Sequence, residues 1–251
     1  LSVRETRVID WRHLAGLSQL LHLHIERCGL RQLPREFSAL VSLTRLDLNT
    51  GHMAQAPQSS WLPLASLVHL RQLSLVHCFL QHLPAALSQL SALTMLDLED
   101  SDLDLADWQP LAGLRQLADL SVPLCSLAAV PSVISHLTAL TKLDLGGNRI
   151  QDWQHLAPLP LLRHLSLAGT DGQVVAARDL RELPATLSRL TALTHLDASN
   201  NCTLSGGWQH LLPLRQLVRL NLWGCGLAAV PRELRVLQQQ GLDVEGERFF
   251  S

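Results

Sequence analysis

The chain has 251 residues, 47% of them hydrophobic and 17% charged, with a formal net charge of -2 and a pI near 6.7. That is enough chain for a sizeable core, and so balanced a charge offers no field to gather phosphate backbones or anionic lipid, which argues against nucleic acid and membrane surfaces as partners. No run approaches the roughly 18 uncharged apolar residues of a membrane span, and no charged and apolar leader follows Leu1, so no signal peptide is read.

From the start of the chain, short x-L-x-L-x segments recur. Leu1 and Val3 occupy the two inward places of the first. Full frames L-x-x-L-x-L then begin at Leu20, Leu43, Leu70, Leu93, Leu117, Leu140, Leu162, Leu193 and Leu217, and a last partial one carries Leu242 and Val244. Alternation with period two predicts a strand with its leucines inward and its polar residues on the opposite face. The legs between strands, such as LSQLSAL from Leu87, space their apolar residues three apart, which predicts a short helix or 3-10 turn. A period of 20 to 30 residues with this content makes a repeat array of about eleven coils, expected to form a single domain over residues 1–251. Because Leu1 already lies inside a strand, the array is expected to lack an N-terminal cap and to be a monomer or a fragment of a longer chain.

A two-coil period lies over the first. Alternate coils carry Leu33-Pro34, Leu83-Pro84, Val130-Pro131, Leu183-Pro184 and Val230-Pro231, and the coils between carry Trp11, Trp61, Trp108, Trp153 and Trp208. Proline fixes the backbone where the chain enters its outer leg, and these five tryptophans are expected in the core. The five cysteines, Cys28, Cys78, Cys125, Cys202 and Cys225, are odd in number and not clustered. Four of them fall at one repeat position, two or more coils apart, beyond disulfide reach. Free thiols fit a reducing compartment, so a cytoplasmic location is expected.

The stretch LTKLDLGGNRI from Leu140 to Ile150 carries the spacing L-x-x-L-x-L-x-x-N-x-I, and with its repeats it resembles the leucine-rich-repeat superfamily over essentially the whole chain. The proline coils are similar to the intracellular Ras-group type, L-x-x-L-P-x-x-L-x-x-L. The resemblance implies an α/β solenoid shaped as a curved horseshoe, with a parallel β-sheet on the concave face and short helices or 3-10 turns outside. It implies a module that binds proteins and needs no cofactor. Only Asn148 and Asn201 hold the family's ladder asparagine; Cys28, Gly51, Cys78, Ser101, Cys125, Thr170 and Cys225 stand at that place elsewhere, so a looser ladder is expected, most of all near Gly51. Two coils are overlong, at 50–60 and 170–181, and insertions of this kind map to loops on one face, often the binding face.

The outward strand residues are where such a module places its specificity. The central row, which includes Asp47, Asp97, Asp144 and Asp197, alternates Asp with Ser or another neutral residue and reads as a self-satisfied polar ladder. The row before it includes Arg45, Gln72, Met95, Asp119, Lys142, His164, His195 and Arg219, and the row after it includes Glu99 and Trp223. Asp97, Glu99, Asp100 and Asp119 form an expected acidic patch, extended by Asp102, Asp104 and Asp107, that suits a basic partner segment. Trp223 breaks the tryptophan pattern by falling on the outward face, where aromatics make binding anchors. Arg45, Asp47, Gln72, Met95, Asp97, Glu99, Asp119, Lys142, His164, His195, Arg219 and Trp223 are the expected partner contacts. His164 and His195 with Ser166 and Asp197 superficially supply a catalytic or metal-binding set, but an open sheet offers neither an oxyanion hole nor exclusion of water, so no catalytic and no metal residue is assigned. The expected function is non-catalytic protein recognition. The alternative is a substrate-recognition arm of a larger enzyme, such as a ubiquitin ligase or secreted effector, with its catalytic domain outside this chain.

Overall fold

The structure, a computed structural model, describes residues 1–5, 10–49, 53–54, 56–170, 180–227 and 229–246. Gly51, most of the insertion at 170–181, part of the one at 50–60, and Phe249-Phe250 lie outside the described residues. The chain forms two compact units, Leu1–Cys125 and Ser126–Ser251.

In the first unit, strands β1 (Ser2–Arg4), β2 (His22–Glu26), β3 (Arg45–Asn49), β4 (Gln72–Ser74), β5 (Met95–Asp97) and β6 (Asp119–Ser121) each run parallel to the next in sequence. The repeat frame sets the register: Leu23 stands opposite Leu46, Leu46 opposite Leu73, Leu73 opposite Leu96 and Leu96 opposite Leu120. The second unit repeats the arrangement with β7 (Lys142–Asp144), β8 (His164–Ser166), β9 (His195–Asp197), β10 (Arg219–Asn221) and β11 (Asp243–Glu245). Leu143, Leu165, Leu196, Leu220 and Val244 lie in register there. From β2 to β10 the inward leucines are buried and form the core, whereas at the two ends Val3 and Val244 are only half-buried and Leu1, expected inside the first strand, precedes it and is 53% exposed.

The return legs are 3-10 turns, as the three-residue spacing predicts. In the proline coils the Pro caps a turn at Arg35–Ala39, Ala85–Gln89, Ser132–His136 and Ala185–Arg189. Each of these turns also has a serine, Ser38, Ser88, Ser135 or Ser188, whose hydroxyl donates at 2.6–2.8 Å to the carbonyl three residues back. The leg after Pro231 is instead an α-helix, α1 (Arg232–Gln239), rich in helix-forming Leu, Arg and Gln and buried through Leu234 and Leu237. Trp61, Trp108 and Trp208 are buried as expected, whereas Trp11 and Trp153 are only half-buried, which corrects their placement in the core. Trp11 meets Phe37 edge-on at 6.2 Å. Trp153 borders a lateral cleft of about 550 Å³.

The ladder position alternates in chemistry along with the coils. In the tryptophan coils its side chain accepts a backbone N–H from the coil before: Ser101 Oγ from Leu80, Asn148 Oδ1 from Leu127, and Asn201 Oδ1 from Leu180. In four of the five proline coils a thiol donates instead, from Cys28 to Val3 O, Cys78 to Leu48 O, Cys125 to Leu98 O and Cys225 to Ala198 O, at 3.1–3.5 Å, while the coil of Pro184 has Thr170 at this place. Four cysteines therefore continue the ladder that the asparagines begin, with a weaker donor.

Candidate functional site

The exposed sheet face gathers the outward strand residues of each unit. In the first unit, Arg45 Nε donates to Asp47 Oδ2 at 2.9 Å and its Nη1 to Gln72 Oε1 at 3.3 Å, so these three residues form one network across β3 and β4. His24 adds a contact to Asp47 at 3.7 Å. Met95 and Asp119 are register partners on β5 and β6, and Asp97 stands two residues further along β5, opposite Ser121. Asp97 Oδ1 accepts the Glu99 N–H at 3.1 Å, which closes the strand end. Asp100 is engaged by His77 Nδ1 at 2.9 Å. The acidic patch is thus partly occupied with the fold's own turns; Asp102, Asp104 and Asp107 are exposed, and Asp107 Oδ1 accepts the Gln109 N–H at 2.9 Å.

The second unit holds the more open face. Register places Lys142 beside His164, His164 beside His195, and His195 beside Arg219. The two imidazoles stack with centroids 4.3 Å apart at 22°. Asp144, Ser166, Asp197 and Asn221 form the parallel row two residues along. Asp144, Asp197 and Asn221 each turn Oδ1 onto the N–H of the residue two on, at 2.9–3.0 Å. That repeated bond supports the reading of this row as structural. Between the rows lies a shallow cavity of about 270 Å³. Asp243 and Glu245 on β11 stand opposite Arg219 and Asn221 and complete both rows. They were missed as face residues, although the frame of Leu242 and Val244 already placed them there.

Trp223 follows on the same coil and is 59% exposed. Gly146 and Ala168, which precede it in that row, keep the floor low; a Cβ on Gly146 would already lie 3.2 Å from Ala168 O. The His/Ser/Asp group does not join into a relay, because His195 Nδ1 meets Thr194 Oγ1 at 2.8 Å while Asp197 Oδ1 takes the Ser199 N–H. Among the described residues no three His, Cys, Asp or Glu side chains converge as a metal site would require. The larger lateral cleft is lined by Asn148 and Asn201, both engaged in ladder bonds, together with Arg149, Gln151, Trp153, Arg181 and Glu182.

The pattern of a leucine-rich repeat region matches residues 58–242. The chain belongs to the leucine-rich-repeat family. No curated protein matches it. Among solved structures, this leucine-rich-repeat chain is similar to an internalin from Listeria monocytogenes at 19% identity and TM-score 0.75, over 100% of this chain and 67% of that one. A leucine-rich-repeat protein from Leptospira interrogans aligns at 22% identity and TM-score 0.66, over 96% of this chain and 66% of that one. Internalin C2 of Listeria monocytogenes aligns at 22% identity and TM-score 0.59, over 76% and 77%. Likeness at this identity establishes the fold. Among the described residues no helix is long and apolar enough to cross a membrane.

Proposed function

We propose that this leucine-rich-repeat chain is a single-domain, non-catalytic recognition module that takes a protein partner on its exposed sheet face, in the cytoplasm. Family membership supports protein binding in general. The observation that carries the surface assignment is Trp223, a large aromatic 59% exposed in the turn that follows β10 rather than on the strand itself, with the small residues Gly146 and Ala168 at the same repeat place. Most exposed side chains contribute little to an interface, whereas a rigid aromatic beside a low floor supplies a desolvated anchor. On the strands of the second unit the expected contacts are Lys142, His164, His195 and Arg219. In the first unit Arg45, Asp47, Gln72, Met95, Asp97, Glu99 and Asp119 are the corresponding contacts.

The test is quantitative affinity capture with the parent chain, Trp223→Ala, and Asp97→Lys/Glu99→Lys. The proposal expects both variants to lose partners that the parent retains. Identical capture by all three would remove the sheet face as the binding surface.

A further inference from the structure

The lateral cleft of the second unit, at about 550 Å³, falls among clefts that hold small ligands and peptides, about 300–1,000 Å³. It lies where the hydrogen bonds that join the loops of consecutive coils are interrupted. Arg149 and Gln151 donate their N–H groups to the preceding coil, at Leu127 O and Ala128 O, and Asp152 O accepts the Val130 N–H. Across the cleft, Arg181 O accepts the Ser205 N–H and Leu183 donates to Gly206 O, both in the following coil. Between these bonded residues stand Ile150 and Glu182, which line the cleft, and their backbone N–H and C=O groups make no hydrogen bond among the described residues. In the first unit the corresponding loops stay joined, Asp102 N–H to Leu80 O and Leu103 N–H to Cys125 O. Arg149, Gln151 and Arg181 are exposed, and their side chains make no hydrogen bond or ion pair among the described residues.

We propose that this cleft takes an extended peptide segment of a partner protein, one in which apolar and acidic residues alternate, on a surface separate from the sheet face. A peptide main chain brings both donors and acceptors, which the open backbone groups of Ile150 and Glu182 require, whereas a small anion brings acceptors alone. Alternate side chains of an extended segment point to opposite sides, and the cleft wall alternates likewise, from exposed Arg149 through buried Ile150 to exposed Gln151. The apolar side chains of the segment therefore pack against Ile150, Leu167 and the open side of Trp153, which is half-buried. The acidic side chains between them face Arg149 and Arg181. The one carboxylate of the lining, Glu182, lies on the side of the following coil, its Oε1 3.4 Å from where a Cβ on Gly206 would stand. Asp152, next along the wall, accepts from Gln154 with both of its oxygens. Two guanidinium groups without a partner against one such carboxylate make an acidic segment the complementary one.

The experiment measures binding of labelled, acetylated pentapeptides to the full chain by fluorescence anisotropy, with leucine alternating with glutamate, serine or lysine. The glutamate peptide should bind about tenfold more tightly than the serine peptide, and the lysine peptide most weakly. Arg149→Gln/Arg181→Gln should bring the glutamate peptide to the level of the serine peptide and leave the serine peptide unchanged. Trp153→Ala should weaken both, and methylation of the peptide's backbone nitrogens should abolish binding. Trp223→Ala should bind the glutamate peptide as the parent does, which separates this cleft from the sheet face. Circular dichroism and the urea midpoint confirm that each variant is folded. The proposal is overturned by no binding, by a glutamate preference that survives in the arginine variant, or by equal binding of the methylated peptide. Loss of the peptide in Trp223→Ala would place it on the sheet face instead. Binding that appears only when 172–178 are replaced by glycine and serine would make that stretch of the chain the occupant, and would also overturn it.

Discussion

Cys225 donates its thiol proton to the carbonyl of Ala198, one coil back, at 3.1 Å, and Asn201 donates its amide to Leu167, also one coil back, at 2.9 Å. The two residues hold the same repeat position in adjacent coils and perform the same task with different chemistry. Their costs on removal should differ. Asn201 also accepts the Leu180 N–H and donates to Ala198, so Asn201→Ala strands several buried backbone groups and should cost about 3 kcal/mol. Cys225→Ala loses a weak donor and little volume and should cost about 1 kcal/mol. Urea unfolding of both variants checks this; equal losses would mean that the ladder is not what holds the coils together.

The four ladder thiols are buried and Cys202 is exposed. One cysteine per chain should react rapidly with a thiol reagent under native conditions and all five after unfolding, read by mass spectrometry. Burial pushes the Cys125 thiol up to about 12 from its ordinary 9.0. Because the folded value lies above the unfolded one, the stability this thiol contributes is fully present below pH 9 and is lost as pH rises from 9 toward about 12. The parent should therefore lose stability relative to Cys125→Ala on passing from about pH 8 to about pH 10.5, as seen in their urea midpoints.

Gly207 precedes the turn that carries Trp208 at φ +83, and a Cβ there would lie 2.4 Å from Leu183 O. Both the left-handed backbone and the close approach require glycine. Gly207→Ala should cost about 3 kcal/mol or more. A thermal or urea midpoint unchanged by this substitution would show that the coil relaxes easily around the added atom.

Trp223→Ala should separate binding from stability. With 59% of its surface exposed, its removal should shift stability by less than about 0.5 kcal/mol. Partner affinity should fall at least about tenfold, or about 1.4 kcal/mol. Paired urea unfolding and titration calorimetry with a captured partner give both numbers.

The frame L-x-x-L-x-L foretold the strands and their register because a leucine column admits only one alignment that keeps every inward residue buried. The 3-10 legs were equally legible from the three-residue spacing. The cysteine ladder was not, although its two-coil alternation is plain in the sequence. A thiol carries little hydrogen-bonding weight in an isolated sequence, and its role depends on the neighbouring coil's carbonyl, which only the fold supplies. Trp153 reads as core by periodicity yet is half-buried, because the cleft beside it leaves one side unpacked. On the sheet face, periodicity identified which residues point outward. It could not reveal that the His164 and His195 rings stack, or that Asp97, Asp144 and Asp197 are turned to backbone N–H groups.

The central claim, that the sheet face receives a protein partner, is tested most directly by site-specific photocrosslinking. A benzoylphenylalanine replaces Trp223 in one sample and Val236, exposed on α1, in another. The account predicts a discrete protein adduct from the Trp223 position, suppressed by excess parent chain but not by excess Trp223→Ala, and none from Val236. Adducts of equal yield at Val236, or suppression by Trp223→Ala as effective as by the parent, would contradict it.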